Sequence, residues 1–548
     1  MNRIVIDKPL SWQSLVAVAS GEAKLELSGA AVARIEAAHA IVRSIVAGSL
    51  RAYGVNTGVG ALSDVIIPRE QQSTLSRNIL MSHAVGMGVP LDTTATRAIM
   101  VAAVNNFALG YSGLRLCVVQ RLVDLLNADC APVVPRQGSV GYISHSAHIG
   151  LGLVGHGKVV LQGERLPASE ALRRLGLEPL VLEAKEGLCL VNGTPCVTGL
   201  AAVALHRSVK LMNWADAVAA MSFETQRCQL RAVDPSVMAL RVSPGLQEVT
   251  GKLNGLLAGS NILAHAQGRK TQDALSLRAI PQVHGAVKDV WTGATIAVDR
   301  ELASCTDNPI VAGSPDTPEI YSQAHPVGAT LGLAMDHVAA AVAELGMNSE
   351  RRLDRMVNPL VSGLPAFLAH SGDPAAGDPA AGVPAAGVPA AGAQVSEGLS
   401  NKGTASGFMI AQYAAASLVG ENRRLAAPAG LDGGVTSALQ EDMLCHATPA
   451  ALKALDIIDN VRSIVAIELL AACQSYDLLG MDPRPAPRTW ALYRALRTKI
   501  TTYADDRPLS DDIAASVCFI EDNTPEDVLS NAMLGTAKIF PMTAEGSV

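Results

Sequence analysis

Three histidines set close together are the first groups in this sequence that could do chemistry. His145, His148 and His156 lie in Gly141-Tyr-Ile-Ser-His-Ser-Ala-His-Ile-Gly-Leu-Gly-Leu-Val-Gly-His156. Imidazole is a common metal ligand, but this stretch is apolar, helical in pattern and without a carboxylate nearby in sequence. It reads as hydrogen-bonded core or surface histidines, and no metal is expected. Neither a His-Glu-x-x-His pair nor a Cys/His cluster at ligand spacing occurs, and there is no Gly-x-x-x-x-Gly-Lys-Ser/Thr loop to cradle phosphate. The nine cysteines are scattered without a Cys-x-x-Cys pair, which predicts reduced thiols and no disulfide framework.

Any such chemistry needs a frame, and the composition says which. Of 548 residues nearly half are hydrophobic and only 3% are aromatic. The core must be built from Ala, Leu, Val, Ile and Met, most of which, Val and Ile apart, favour helix. Residues 1–200 mix short apolar runs with Gly-rich loops such as Tyr53-Gly-Val-Asn-Thr-Gly-Val-Gly60, and read as helices with a few short strands. Residues 201–548 read as longer helices. Leu331, Met335, Val338, Val342 and Leu345 recur at three- and four-residue steps and share one helix face. Leu452 to Leu479 is apolar on almost all sides, which places it in the centre of a bundle or in a subunit interface. Between them, residues 373–392 repeat a Pro-Ala-Ala-Gly unit; a Pro and a Gly in each repeat prevent a continuous helix and predict an inserted surface loop.

Charge and hydropathy exclude several classes. The net charge of −7 comes with no basic tract, which argues against nucleic acid as a partner. The N-terminus, Met1-Asn-Arg-Ile-Val-Ile-Asp-Lys8, lacks the basic head and long apolar run of a secretory signal. No stretch of about 20 apolar residues runs without interruption by polar residues, Gly or Pro. A soluble cytoplasmic protein is expected.

Several dispersed stretches agree with one family. They are Arg51-Ala-Tyr-Gly-Val-Asn-Thr-Gly-Val-Gly60, Asn78-Ile-Leu-Met-Ser-His83, Gly138-Ser-Val-Gly141, Glu186-Gly-Leu-Cys-Leu-Val-Asn-Gly-Thr194, Gln272-Asp-Ala-Leu-Ser-Leu-Arg278 with Pro281-Gln282, Thr306-Asp-Asn-Pro309, Ser406-Gly-Phe-Met-Ile-Ala-Gln412 and Gln440-Glu-Asp442. In order and approximate spacing, from about residue 45 to residue 470, they resemble histidine ammonia-lyase and its aromatic relatives. The resemblance implies a mainly α, ammonia-lyase-like fold with a long central helical bundle and a smaller mixed N-terminal region. It also implies a homotetramer whose active sites combine residues of three chains.

The resemblance assigns roles residue by residue. Tyr53 stands where the family's catalytic Tyr removes the β-proton. A phenol is a weak base unless its pKa falls, so cationic or donor neighbours are required. Arg278 matches the carboxylate clamp, where a planar guanidinium suits bidentate binding. Asn192 and Gln272 match polar residues around the substrate's amino-acid end. His83 and Glu441 match positions that face the ring in the histidine enzyme, and Glu441 is a candidate to hold or deliver a proton there. Lys402, in Ser400-Asn-Lys-Gly403, has no fixed counterpart and could polarise or protonate a ring substituent.

The chain departs from the family where the family makes its electrophile. There an Ala-Ser-Gly tripeptide cyclises and dehydrates to a methylidene-imidazolone; here Tyr142-Ile143-Ser144 follows Gly141. Ile143 has no hydroxyl to eliminate, and Ser144 is followed by His145 rather than by unhindered Gly. No such group, and no other cofactor, is expected. A quaternary ammonium cannot add to an electrophile and does not need one, because it departs as a neutral tertiary amine. The departure therefore points to a histidine-derived betaine, and resembles the family branch that releases trimethylamine from ergothioneine to give thiolurocanate. Leu275 and Gln323-Ala324-His325, where the family carries aromatics, fit room for three methyl groups. Tyr142 then either faces the trimethylammonium or fills space. Elimination from hercynine, ordinary histidine deamination, and a catalytically dead scaffold remain alternatives.

Overall fold

The computed structural model describes residues 2–141, 143–370, 404–431 and 433–537. The repeat stretch 373–392 lies outside the described residues. The chain is mainly helical and divides into two compact units. The first holds residues 1–206, 292–338 and 427–455; the second holds 207–291, 339–426 and 456–548.

Among the described residues, the first unit carries all the strands, each short. Asn2–Ile6 pairs in parallel with Ala23–Leu27. Cys130–Pro132, Lys158–Leu161 and Glu164–Pro167 form a three-stranded antiparallel sheet, Met87–Pro90 pairs with Pro135–Gln137, and Ile310–Gly313 folds back on Pro318–Tyr321. Its helices start where side-chain oxygens can take up free N–H groups. Ser28 caps Gly29–Ala47 by accepting from Ala31 N (3.0 Å), and Asp92 caps Thr93–Ala108 by accepting from Ala95 N (2.7 Å). Thr93–Ala108 is buried almost all round, from Ala98 and Ile99 to Val104 and Phe107.

The long helices are Pro195–Thr225, Ile280–Leu302, Ala329–Val357 and Ala447–Leu479. The face predicted from Leu331, Met335, Val338, Val342 and Leu345 is buried. So are Ile457, Ile458, Val461, Ile464 and Val465, each fully enclosed within the chain itself, where hydrophobic burial contributes about 1.5–3 kcal/mol per side chain. Among the described residues one helical stretch, Glu186–Thr225, is long and apolar enough to cross a membrane by composition, but 94% of its most apolar window is buried inside the fold. All nine cysteines are free thiols.

The second unit is held by a buried polar chain. Glu468 accepts from Ser222 Oγ (2.6 Å), from Ser349 Oγ (2.5 Å) and from both Nε and Nη2 of Arg352 (2.6 and 2.8 Å). Beyond Arg352, His284 bonds Asp216 through Nδ1 (2.8 Å), and Lys288 pairs with the same carboxylate (2.9 Å). Such groups are stable in a low-dielectric interior only because each has partners.

Candidate active site

Tyr53, His83, Asn192 and Glu441 line one cavity of about 1140 Å³ in the first unit, although they are scattered along the chain. Tyr53 sits in a loop braced by its own side chains: Asn56 Oδ1 accepts from Ala52 N (2.8 Å) and Thr57 Oγ1 from Gly54 N (3.1 Å). Gly54 has φ +64°, and a Cβ there would lie 2.1 Å from Leu188 Cδ2, so the loop's approach to the helix Glu186–Val191 requires Gly. The Tyr53 hydroxyl accepts the Gly60 N–H at 3.1 Å. Burial raises the phenol's pKa, the Gly60 N–H lowers it, and the nearby Glu441 carboxylate raises it further; the net direction is up. The donor that a basic phenol needs is present, but within this chain burial and a negative charge outweigh it.

His83 ends the helix Gln72–His83. Its Nδ1 lies 3.0 Å from Ser82 Oγ, which is also 2.8 Å from the Asn78 carbonyl. Burial lowers the pKa of His83, with the Ile79 carbonyl opposing, and favours the neutral ring. The helix is locked against Glu186–Val191: a Cβ on Gly187 would lie 2.1 Å from the Ser76 carbonyl oxygen, and Ser73 and Ser76 hydroxyls donate to Leu182 O and Glu183 O (2.6 Å each). Asn192 is the C-cap of that second helix, and its Nδ2 donates to the Asn308 carbonyl at 2.5 Å.

Glu441 closes a tight turn in which Thr436 N donates to Glu441 O (2.8 Å). Ser437, Ala438 and Leu439 all have positive φ (52°, 50° and 74°), a conformation costing roughly 1–2 kcal/mol per non-Gly residue. The turn is tied to the Tyr53 loop by Ala61 N donating to Ser437 Oγ (3.3 Å). Its root is held by Asp336, which accepts from Ala429 N (3.0 Å) and Gly430 N (3.2 Å) and pairs with Lys453 at 2.5 Å. None of Ser437, Asn308 or Asp336 was singled out as an individual site residue from sequence; each acts by contact with a distant segment, and no local pattern marks it.

Ile143 also lines the cavity, with φ +82° and ψ −74°, just before the helix Ser144–Leu153. Its carbonyl accepts the first helical bond from Ala147 N (2.9 Å), and Ser144 Oγ is buried without a partner. Within that helix His145 is buried, its Nε2 2.9 Å from Arg136 O, and His148 Nε2 accepts from Gly86 N at 3.0 Å. Among the described residues no group of His, Cys, Asp and Glu could hold a metal.

Comparison with known proteins names the family. Residues 10–498 match the family described as aromatic amino acid lyase. Histidine ammonia-lyase of Deinococcus radiodurans is 40% identical over 515 residues, 93% of this chain and 92% of that protein. The chain belongs to the aromatic amino acid lyase family. Its fold matches histidine ammonia-lyase from Trypanosoma cruzi with a TM-score of 0.83 at 33% identity, over 99% of this chain and 100% of that one. Ergothionase from Treponema denticola, solved with desmethyl-ergothioneine sulfonic acid, shares the fold with a TM-score of 0.84 at 24% identity, over 95% of this chain and 99% of that one. As a member of the histidine ammonia-lyase family this lyase cleaves carbon–nitrogen bonds.

The remaining residues expected from the family motifs fall elsewhere. Gln272, exposed, and Arg278, half-buried, belong to the second unit of this lyase and are not among the residues lining the cavity. Arg278 Nε is buried without a hydrogen-bond partner. Leu275 is 63% exposed. Gln323 and Ala324 line the cavity, and Gln323 N donates to Asn308 Oδ1 (2.8 Å). Tyr142 and Lys402 lie outside the described residues.

Proposed function

We propose that this lyase eliminates trimethylamine from a histidine-derived betaine, with ergothioneine as substrate and thiolurocanate as product, and that it does so without a methylidene-imidazolone. The observation that carries the reading is Ile143 at the cavity wall. It has no hydroxyl to lose, and the neighbouring aliphatic hydroxyl, on Ser144, belongs to a residue already in a helix whose first hydrogen bond uses the Ile143 carbonyl. A ring closing around Ser144 would have to attack that engaged carbonyl from His145 N. The residues present do not fit the group.

The chemistry then rests on the substrate and on this chain's side chains. Tyr53, as phenolate, takes the proton from the carbon beside the ring. The electron pair forms the new double bond, and the carbon–nitrogen bond breaks to release neutral trimethylamine. His83 and Glu441 face the ring N–H groups, and Asn192 meets the amino-acid end. Arg278 and Gln272 reach the carboxylate from other copies in a homotetramer with shared sites. Tyr53 supports this, since its pKa is raised here and would be brought down by a guanidinium from a second copy. Tyr142 would face the trimethylammonium through its ring, and Lys402 would polarise the thione.

The 40% identity to histidine ammonia-lyase favours a second reading, deamination of histidine. One parallel incubation with ergothioneine, hercynine and histidine separates them. Trimethylamine and a conjugated acrylate from ergothioneine are expected. Turnover of hercynine alone would move the substrate and keep the chemistry. Turnover of histidine alone, or an intact mass short by two waters, would overturn the reading.

A further inference from the structure

Beneath the cavity lies a charged group that the proposed chemistry does not use. Lys185 is fully enclosed, at the start of the helix Glu186–Val191, with φ +68°. Its ammonium donates to the Ser112 carbonyl (2.7 Å) and lies 3.3 Å from Asp307 Oδ2 and 3.3 Å from Cys189 Sγ. Asp307 is equally buried and is enclosed by bonds: Oδ1 accepts from Asn308 N (2.8 Å), and its carbonyl accepts from Gln323 Nε2 (2.8 Å). A buried lysine left in a strained backbone conformation persists only where the surroundings hold it there.

The geometry gives the pair a task. The helix Glu186–Val191 grips the dipeptide Asp307-Asn308 at both ends, through Lys185 on the Asp307 carboxylate at its start and through Asn192 on the Asn308 carbonyl at its end. Between those grips, Leu188 and Val191 face the cavity. The Asn192 amide is therefore aimed by the Asn308 carbonyl, and Asn308 is tied through its N–H to Asp307, the residue that Lys185 anchors. Burial works against the ammonium, and Asp307 with Cys189 outweighs it, so Lys185 stays charged through the neutral range.

We propose that Lys185 is a positioning residue for substrate binding: its ion pair with Asp307 fixes the Asn308 carbonyl that aims the Asn192 side chain into the cavity. The inference rests on Asn192 facing substrate, and not on which substrate it is.

A double-mutant cycle tests it, run on the purified full chain with ergothioneine, or with histidine if that alone is turned over. Lys185→Met is expected to raise KM about tenfold with kcat changed much less, and to do so less than about twofold in an Asn192→Ala background. A merely structural role would give the same KM effect in both backgrounds, and that additivity would overturn the inference while leaving the site intact. Asn192→Ala with a parental KM would remove Asn192 from the site, and the inference with it. Should Lys185→Met not fold, the neutral pair Lys185→Met/Asp307→Asn carries the same measurement, since the amide oxygen that replaces the carboxylate keeps an acceptor for the Asn308 N–H. If that pair binds substrate like the parent, or if neither variant folds, Lys185 serves stability alone and the proposal fails.

Discussion

Glu441→Gln tests the assignment of Tyr53 as the base, because the structure fixes the sign of its effect. The phenol's pKa lies above its ordinary value of 10, raised first by burial and then by the Glu441 carboxylate, with the Gly60 N–H opposing. A base must be deprotonated to act, so kcat/KM should rise with pH until the phenolate dominates. Removing the Glu441 charge favours the phenolate, so the rising limb should move to lower pH even as the loss of the ring contact lowers the rate. Tyr53→Phe sets the scale. General-base catalysis contributes about 10²–10⁴ in rate, or roughly 3–5.5 kcal/mol of barrier. The hydrogen bond lost from Gly60 N, which water can replace at that half-exposed site, is worth about 1 kcal/mol of stability. Activity should therefore collapse by orders of magnitude while the urea midpoint barely moves. The assay is product absorbance against pH for the parent and both variants. A limb that shifts upward in Glu441→Gln, or a Tyr53→Phe enzyme keeping a tenth of parental turnover, would refute the assignment.

Three further outcomes concern stability and the frame of the site. Asp336→Ala leaves the Lys453 ammonium, 11% exposed, without its 2.5 Å partner and frees Ala429 N and Gly430 N; a loss of about 3–5 kcal/mol is expected in urea unfolding, together with a raised KM because the Glu441 turn loses its root. Arg352→Met leaves Glu468 buried and uncompensated, with a similar loss expected, and Arg352→Met/Glu468→Leu should recover most of it; failure of the double variant to recover would mean the pair is not the unit of stability. Burial lowers the pKa of His145, with the Arg136 carbonyl opposing and His148 adding to the lowering. The unfolded chain then binds a proton below about pH 6.5 that the folded chain refuses, so stability is full above that pH and is lost as pH falls toward the folded value, at about 1.4 kcal/mol per pH unit per group. Urea midpoints at pH 7.5 and 5.5 should differ less in His145→Gln than in the parent, and an unchanged difference would sink this account.

The elements were legible in the sequence because periodicity and burial are the same physics. Leu331 to Leu345 recur on one face because that face is covered, and the all-round apolar run after Leu452 is enclosed on all sides. What periodicity cannot carry is which distant segments meet. The chain returns to the first unit twice, through 292–338 and 427–455, and the second return brings Glu441 into the cavity. Ser437 reaches Ala61 across 376 positions, and Lys185 reaches Asp307 across 122. No composition or spacing marks those partners. The motifs identified Tyr53, His83, Asn192 and Glu441, and the structure brings those four together. The sequence asked only that cations or donors attend Tyr53; the fold supplies one donor, Gly60 N–H, and sets a carboxylate beside it.

That carboxylate bears on how far overall similarity reaches. Identity of 40% over 515 residues is a whole-chain figure, and overall similarity reports the shared fold rather than what the site binds. The proposed change of reaction turns on very few residues, chiefly Ile143, and a change of that size barely alters identity. A cavity lined by Glu441 and by an apolar residue at position 143 suits a substrate whose nitrogen is already a good leaving group. If histidine were the substrate, the same cavity would have to activate a primary amine with no electrophile, beside a phenol made less acidic by its neighbours. The parallel incubation therefore weighs overall resemblance to histidine ammonia-lyase against a few site departures, with Tyr142-Ile143-Ser144 first among them.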